Sequence, residues 1–280
     1  MSIILIGSNA FDSFPLEYFN IGPGTTISCI DQYGFANTKI HSFSLECEVI
    51  VSAFAFQNCT NLTTVNMTQM KSYSSLSAAK RKLKSSSLSQ EFYTIPEGLF
   101  DGCICLESLS INNNIDNISG YAFRNCNVLQ FTIPSSVTSI GNSAFENCYK
   151  VKIIPNYIVY FGNSSFKGAG ISRTLKINSN VSYIGEFTFF NTSLRIVYYC
   201  GDTDFSGFSR SFDDSTSIVV TFSYPKSTFC GATVYHMPSN SCSDIMQTNN
   251  DANGLLKRQI GEKLNADGIF LASVYYIGLW

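Results

Sequence analysis

Ten cysteines and two histidines are the residues of this 280-residue chain most able to hold a metal or act as a nucleophile. Cys103 and Cys105 form a C-x-C pair, yet a finger-type zinc site needs a second pair at matching spacing, and none follows. His41 and His236 stand in no H-E-x-x-H or G-x-S-x-G context, so neither a zinc hydrolase nor a serine triad is encoded. The chain reads as a non-enzyme with no catalytic, metal or cofactor residues. A hydrolase is the weaker rival, revived only if activity depended on His41 or His236.

Two other groups could carry chemistry. N-x-Ser/Thr triplets begin at Asn58, Asn61, Asn66, Asn117, Asn163, Asn180 and Asn191. In an exported chain they are acceptors for glycans on exposed turns. The competing reading is chance in a chain rich in Asn, Ser and Thr, with some of these asparagines bonding backbone at corners. The stretch KSYSSLSAAKRKLK, residues 71 to 84, gathers five cations but has little aromatic interleaving, so it reads as a solvated segment rather than a nucleic-acid surface. A net charge of −2 likewise points to no nucleic-acid partner.

Cys59, Cys103, Cys126 and Cys148 each lie three residues after a phenylalanine, and Thr38, Ala169 and Thr192 take the same place elsewhere. A position that accepts threonine or alanine is structural, so these thiols are expected to be buried rungs. Stacked rungs would lie within disulfide reach, but three in succession leave one unpaired, which favours free thiols. Cys200, Cys230 and Cys242, near the divergent end, are the better candidates for a bridge.

The phenylalanines that set this spacing define the element beneath it. Phe11, Phe35, Phe56, Phe100, Phe123, Phe145, Phe166, Phe189 and Phe212 are separated by 24, 21, 44, 23, 22, 21, 23 and 23 residues. The one outlier is twice 22, which predicts a degenerate unit near LSAAKRKL and about ten units in all. Five residues before all but the last of these phenylalanines stands an apolar residue such as Ile118, Ile140 or Ile184, often followed by glycine, which is expected to occupy a turn of positive φ. After the phenylalanine come x-N-C and a short alternating run, as in Leu62, Val65 and Met67, which reads as a half-buried strand. About 22 residues cannot enclose a core alone, so the units must stack and share one apolar column.

The unit FxNCxxLxxhxIPxxVxxIGxxAF, nearly complete in FTIPSSVTSIGNSAFENC (131 to 148), resembles the BspA-type leucine-rich repeat. That resemblance covers about residues 1 to 222. It implies a leucine-rich-repeat solenoid, mostly strand and turn, with a parallel sheet on one side. It also implies a protein-binding module at a cell surface or outside the cell, of the kind associated with adhesion to host cells or matrix proteins and treated as surface antigens. The alternative is an intracellular scaffold or regulatory binder of the same shape, because the amino terminus shows no secretory signal. Residues 223 to 280 are expected to form a divergent cap and tail, with an amphipathic helix over 254 to 266 capped by Asn253. The apolar end GIFLASVYYIGLW is shorter than a membrane span but leaves membrane association open.

Overall fold

The computed structural model describes residues 2–72, 93–112, 114–205, 207, 210–237, 261–264 and 270–273. The chain is a stack of short windings held by parallel strands in two rows. The first row holds β1 (Ser2–Ile6), β2 (Thr25–Ile30), β4 (Val49–Val51), β6 (Met70–Lys71), β7 (Tyr93–Ile95), β9 (Ile115–Ile118), β10 (Ser139–Ile140), β11 (Tyr160–Phe161) and β13 (Tyr183–Ile184). The second holds β3 (Ser42–Ser44), β5 (Thr64–Met67), β8 (Ser108–Ile111), β12 (Thr174–Ile177), β14 (Ile196–Tyr199), β15 (Ser217–Val220) and β17 (Ala232–His236). The sheet expected on one side is thus accompanied by a second row, built from the alternating runs that follow x-N-C. The second row is interrupted between β8 and β12, in the two windings that carry Pro134 and Pro155 there. Proline has no N–H to give a ladder.

All nine landmark rings lie in one continuous column. Successive centroids are 5.2, 5.4, 5.7, 5.9, 5.3, 5.3, 5.9 and 5.3 Å apart from Phe11 to Phe212, and every pair is stacked. Phe35, Phe56, Phe100, Phe123, Phe145 and Phe166 are wholly buried, with Ile118, Ile140 and Ile184 beside them. The solenoid has about nine turns, close to the ten expected.

The missing tenth unit has a definite explanation. Phe56 stacks directly on Phe100, β5 pairs directly with β8, and the amides of Phe54, Phe56 and Asn58 donate to the carbonyls of Glu97, Leu99 and Asp101. No winding fits between them. The doubled interval therefore adds the strand β6 to the first row but no ring to the column. β6 ends at Lys71 and β7 begins at Tyr93; LSAAKRKL lies outside the described residues.

Two corners per winding need left-handed backbone, two residues before and two after the landmark phenylalanine. The later corner explains the recurrent asparagine: Asn37, Asn58, Asn125, Asn147 and Asn191 have φ of 56, 55, 62, 61 and 56°, and Gly102 and Gly168 fill the same place. Asparagine tolerates this region better than other side chains. The glycine after the buried isoleucine does not have positive φ, contrary to expectation. It is there for room: a Cβ on Gly141 would lie 2.4 Å from the backbone nitrogen of Gly120 in the winding before it.

The parallel ladder runs beyond residue 222 through β17, whose far side is covered by antiparallel β16 (Thr228–Phe229). The helix expected over 254 to 266 is corrected where the residues are described. Gly261–Leu264 is a strand, β18, paired antiparallel with β19 (Phe270–Ser273). A glycine at the middle of that segment weakens a helix by about 1 kcal/mol relative to alanine. Asn253 lies outside the described residues. No helix among the described residues is long and apolar enough to cross a membrane.

Candidate interaction surface

The thiols are spent inside the stack. Cys59, Cys103, Cys126 and Cys148 are free and fully buried, and each points its Sγ at the carbonyl of the landmark phenylalanine one winding back: Phe35, Phe56, Phe100 and Phe123, at 3.1, 3.0, 3.1 and 2.9 Å. Thr38 and Thr192 use the same position to reach the phenylalanine carbonyl of their own winding. Burial pushes the thiols of Cys103, Cys126 and Cys148 up, away from the reactive thiolate. Of the three bridge candidates, Cys200 is disulfide-bonded, Cys230 is free, and Cys242 lies outside the described residues.

The histidines are at opposite ends of the second row. His41 stacks on Tyr18 at 5.6 Å, and His236 Nδ1 lies 3.3 Å from the carbonyl of Thr221. Among the described residues no three His, Cys, Asp or Glu side chains are grouped to hold a metal ion. A shallow depression of about 820 Å³ near the carboxyl end is lined by residues including Arg195, Arg210, Asp213 and Asp214. Its charges are mixed, and Arg210 already pairs with Asp214 at 3.4 Å.

What remains available for recognition is the outer face of the sheets. On the first row the strand registers place Leu5, Cys29, Ile50 and Lys71 side by side on one line. In the second sheet of this row Thr94, Asn117, Ser139, Tyr160 and Tyr183 form another line in register. Parallel strands repeat at about 4.8 Å, so each line is a closely spaced strip, largely apolar in the first sheet and passing from polar to aromatic in the second. Tyr160 and Tyr183 are stacked at 4.9 Å, and the Tyr183 hydroxyl donates to Asn163 Oδ1 at 3.2 Å. Tyrosine presented this way offers rigid amphipathic contact area. The outer face of the second row is hydroxyl-rich at its amino-terminal end, with Ser42, Thr64 and Ser108 in register and Ser44, Asn66 and Ser110 beside them.

A ladder of side chains on the turn side stiffens this scaffold. The Arg124 guanidinium grips the buried Asp101 carboxylate through two bonds of 2.8 and 2.7 Å and lies 4.6 Å over the Tyr121 ring. Lys167 pairs with Glu146 at 3.2 Å in the next two windings.

The sequons fall at distinct places. Asn58 and Asn191 occupy left-handed corners, and Asn58 Nδ2 donates to Asn37 Oδ1 at 3.1 Å in an asparagine ladder. Asn66 and Asn117 are on the outer faces of β5 and β9, Asn61 is half-buried, and Asn163 and Asn180 are exposed. The corner role was signalled by the x-N-C spacing; the outward strip was not, because alternation shows that one face is buried without showing which strands align.

The sequence profile described as "BspA type Leucine rich repeat region (6 copies)" matches over residues 1–107, 28–152 and 93–219. Among solved structures, a leucine-rich repeat protein from Bacteroides ovatus is 20% identical with a TM-score of 0.52, over 78% of this chain and 62% of that one. This chain thus spans less than two thirds of that protein, and the likeness is one of fold. A leucine rich cell surface protein from Faecalibacterium prausnitzii is 14% identical with a TM-score of 0.29, over 88% and 90% of the two chains. No curated protein matches.

Proposed function

Because this chain belongs to the BspA-type leucine-rich repeat family, and so is a repeat module of the protein-binding kind, we propose that its outer strip contacts a protein on another cell or in the extracellular matrix. The supporting observation is a pair of in-register lines, Leu5 to Lys71 and Thr94 to Tyr183, which present different chemistry on a rigid support. Binding by such a surface needs no buried pocket; it needs a few well-placed aromatic anchors within a polar surround, and Tyr160 and Tyr183 have that character. No reaction is assigned to the protein, and neither nucleic acid nor cofactor is called for.

The location we propose is the cell surface or extracellular space. A disulfide at Cys200 fits an oxidising compartment, and exposed sequons such as Asn180 fit a chain that meets glycosylating enzymes. Burial pushes the thiols of Cys103, Cys126, Cys148 and Cys230 up, away from the reactive thiolate, and Cys105 is exposed. Adhesion, antigenicity and any membrane association of the apolar carboxyl end are part of this proposal.

Two measurements test it. Intact cells producing the protein are treated with a membrane-impermeant amine label, and the asparagines are examined for glycans; labelled, modified protein supports export, whereas cytosolic protein with bare asparagines favours the intracellular scaffold. The purified chain is then applied to immobilised matrix proteins and whole cells beside a Tyr160→Ser/Tyr183→Ser variant. Saturable binding weakened by the double change supports the strip, and equal binding by both proteins removes it from the account.

A further inference from the structure

Charge is spread unevenly over the second row. Seven residues after Phe145 and Phe166, and six after Phe189, stand Lys152, Arg173 and Arg195, all exposed. Backbone bonds tie them into successive windings: the Ser172 amide donates to the Lys152 carbonyl at 3.2 Å, the Arg195 amide to Arg173 at 2.8 Å, and the Ser217 amide to Arg195 at 2.8 Å. Windings repeat at about 4.8 Å, so the three cations make a line along the solenoid. Lys150 is exposed close by in the chain, and Lys176 faces outward from β12 between the buried Leu175 and Ile177. Among the described residues no carboxylate forms an ion pair with any of these five. Asp213 and Asp214, in the next winding, are engaged: Asp213 accepts the Asn191 amide at 3.1 Å, and Asp214 takes Arg210. Like charges on neighbouring strands repel, so the fold itself gains nothing from this line. In a chain of net charge −2 it is a local feature whose complement is an anion with several charges.

The line runs into the depression of about 820 Å³, whose lining includes Arg195, Ser215, Ser217, Thr233 and Tyr235. Tyr235 is 46% exposed. We propose that the line and the depression together bind a linear acidic polysaccharide, a chain whose sugars carry carboxylate or sulfate groups. Each part of the surface answers to a part of such a ligand. Exposed lysine and arginine pair with anionic groups set at intervals along a chain. The serine and threonine hydroxyls both donate to and accept from sugar hydroxyls, and the tyrosine ring offers a flat apolar face to the C–H side of a sugar ring. A single-stranded nucleic acid is less well matched, because its bases need aromatic platforms along the strand and the line from Lys152 to Arg195 carries no ring. The inference stands apart from the protein contact proposed for Tyr160 and Tyr183, which are on the first row.

The test is titration of the purified full chain into fluorescein-labelled heparin and into labelled polygalacturonate, read by anisotropy over a series of NaCl concentrations. Saturable binding that weakens as salt rises is expected. Preference for heparin identifies sulfate as the anionic group, and equal binding of both identifies carboxylate. Arg173→Gln/Arg195→Gln should weaken binding about tenfold or more. Both side chains are exposed, so the fold is kept, which circular dichroism checks. Lys80→Gln/Lys82→Gln removes the same charge from the other basic stretch and should bind like the parent, as should Tyr160→Ser/Tyr183→Ser. Failure of both polysaccharides to bind at low salt overturns the proposal. So does binding indifferent to the arginine changes, or lost instead through Lys80 and Lys82. Tighter binding of labelled poly-glutamate or single-stranded DNA than of either polysaccharide would assign the line to a different partner and overturn it as well.

Discussion

Cys126 shows how a side chain that could have been reactive becomes structural. Its Sγ sits 3.1 Å from the carbonyl of Phe100 in a fully buried position, so it gives a second hydrogen bond to an acceptor that the Cys103 amide already engages at 3.1 Å. Cys126→Ser should keep a donor there and cost little. Cys126→Val should remove this second bond while the Cys103 amide still serves the carbonyl, and cost about 0.5–1.5 kcal/mol in urea unfolding. Burial pushes Cys29 up to about 11 and Cys230 up to about 12 from an ordinary 9.0. For both thiols the native state holds its proton more tightly than the unfolded chain. Their contribution is fully present below pH 9 and falls away as pH rises through 11 to 12, so stability should decline over that window, as unfolding midpoints against pH will show. The cysteine spacing made burial legible in the sequence, since threonine and alanine share the position. The hydrogen-bond partner was not legible, because the carbonyl belongs to the preceding winding.

The repeating winding was readable from the phenylalanines and isoleucines, yet its glycine was misread at the sequence level. Gly141 follows an isoleucine at what looked like a turn of positive φ, but the constraint is the approach of two backbones, which no single unit reveals. Gly141→Ala would place a methyl 2.4 Å from the Gly120 nitrogen. We expect a loss of about 1–3 kcal/mol from the forced separation, measured by denaturant unfolding. The same substitution at Gly7 should be near neutral, because nothing lies within 4 Å of its Cβ. The doubled interval after Phe56 was ambiguous for a related reason: a lost landmark and an inserted loop have the same length. Replacing residues 73–92 with a short Gly/Ser linker should leave the unfolding midpoint almost unchanged if the segment is an insertion, since Phe56 already packs on Phe100. A collapse of stability would show that the segment fills a core position.

A stack of this kind derives its stability from each winding and from the interfaces between neighbours, so the whole molecule is only as continuous as its column of rings. That column is also what holds the outer strip flat, because the same windings set the strand registers that align Asn117, Ser139, Tyr160 and Tyr183. The family and the fold could be read from one dense motif repeated along the chain. The second row of strands, its gap at Pro134 and Pro155 and the closure at β16 depend on contacts across windings. The central claim is that consecutive landmark rings touch, including the pair separated by 44 residues. A double-mutant cycle on Phe56→Leu and Phe100→Leu, read by urea unfolding, tests it most directly. Rings in contact predict a coupling of about 0.5–1.5 kcal/mol. Additivity within about 0.3 kcal/mol would mean that the two rings do not meet, and the continuous spine would be contradicted.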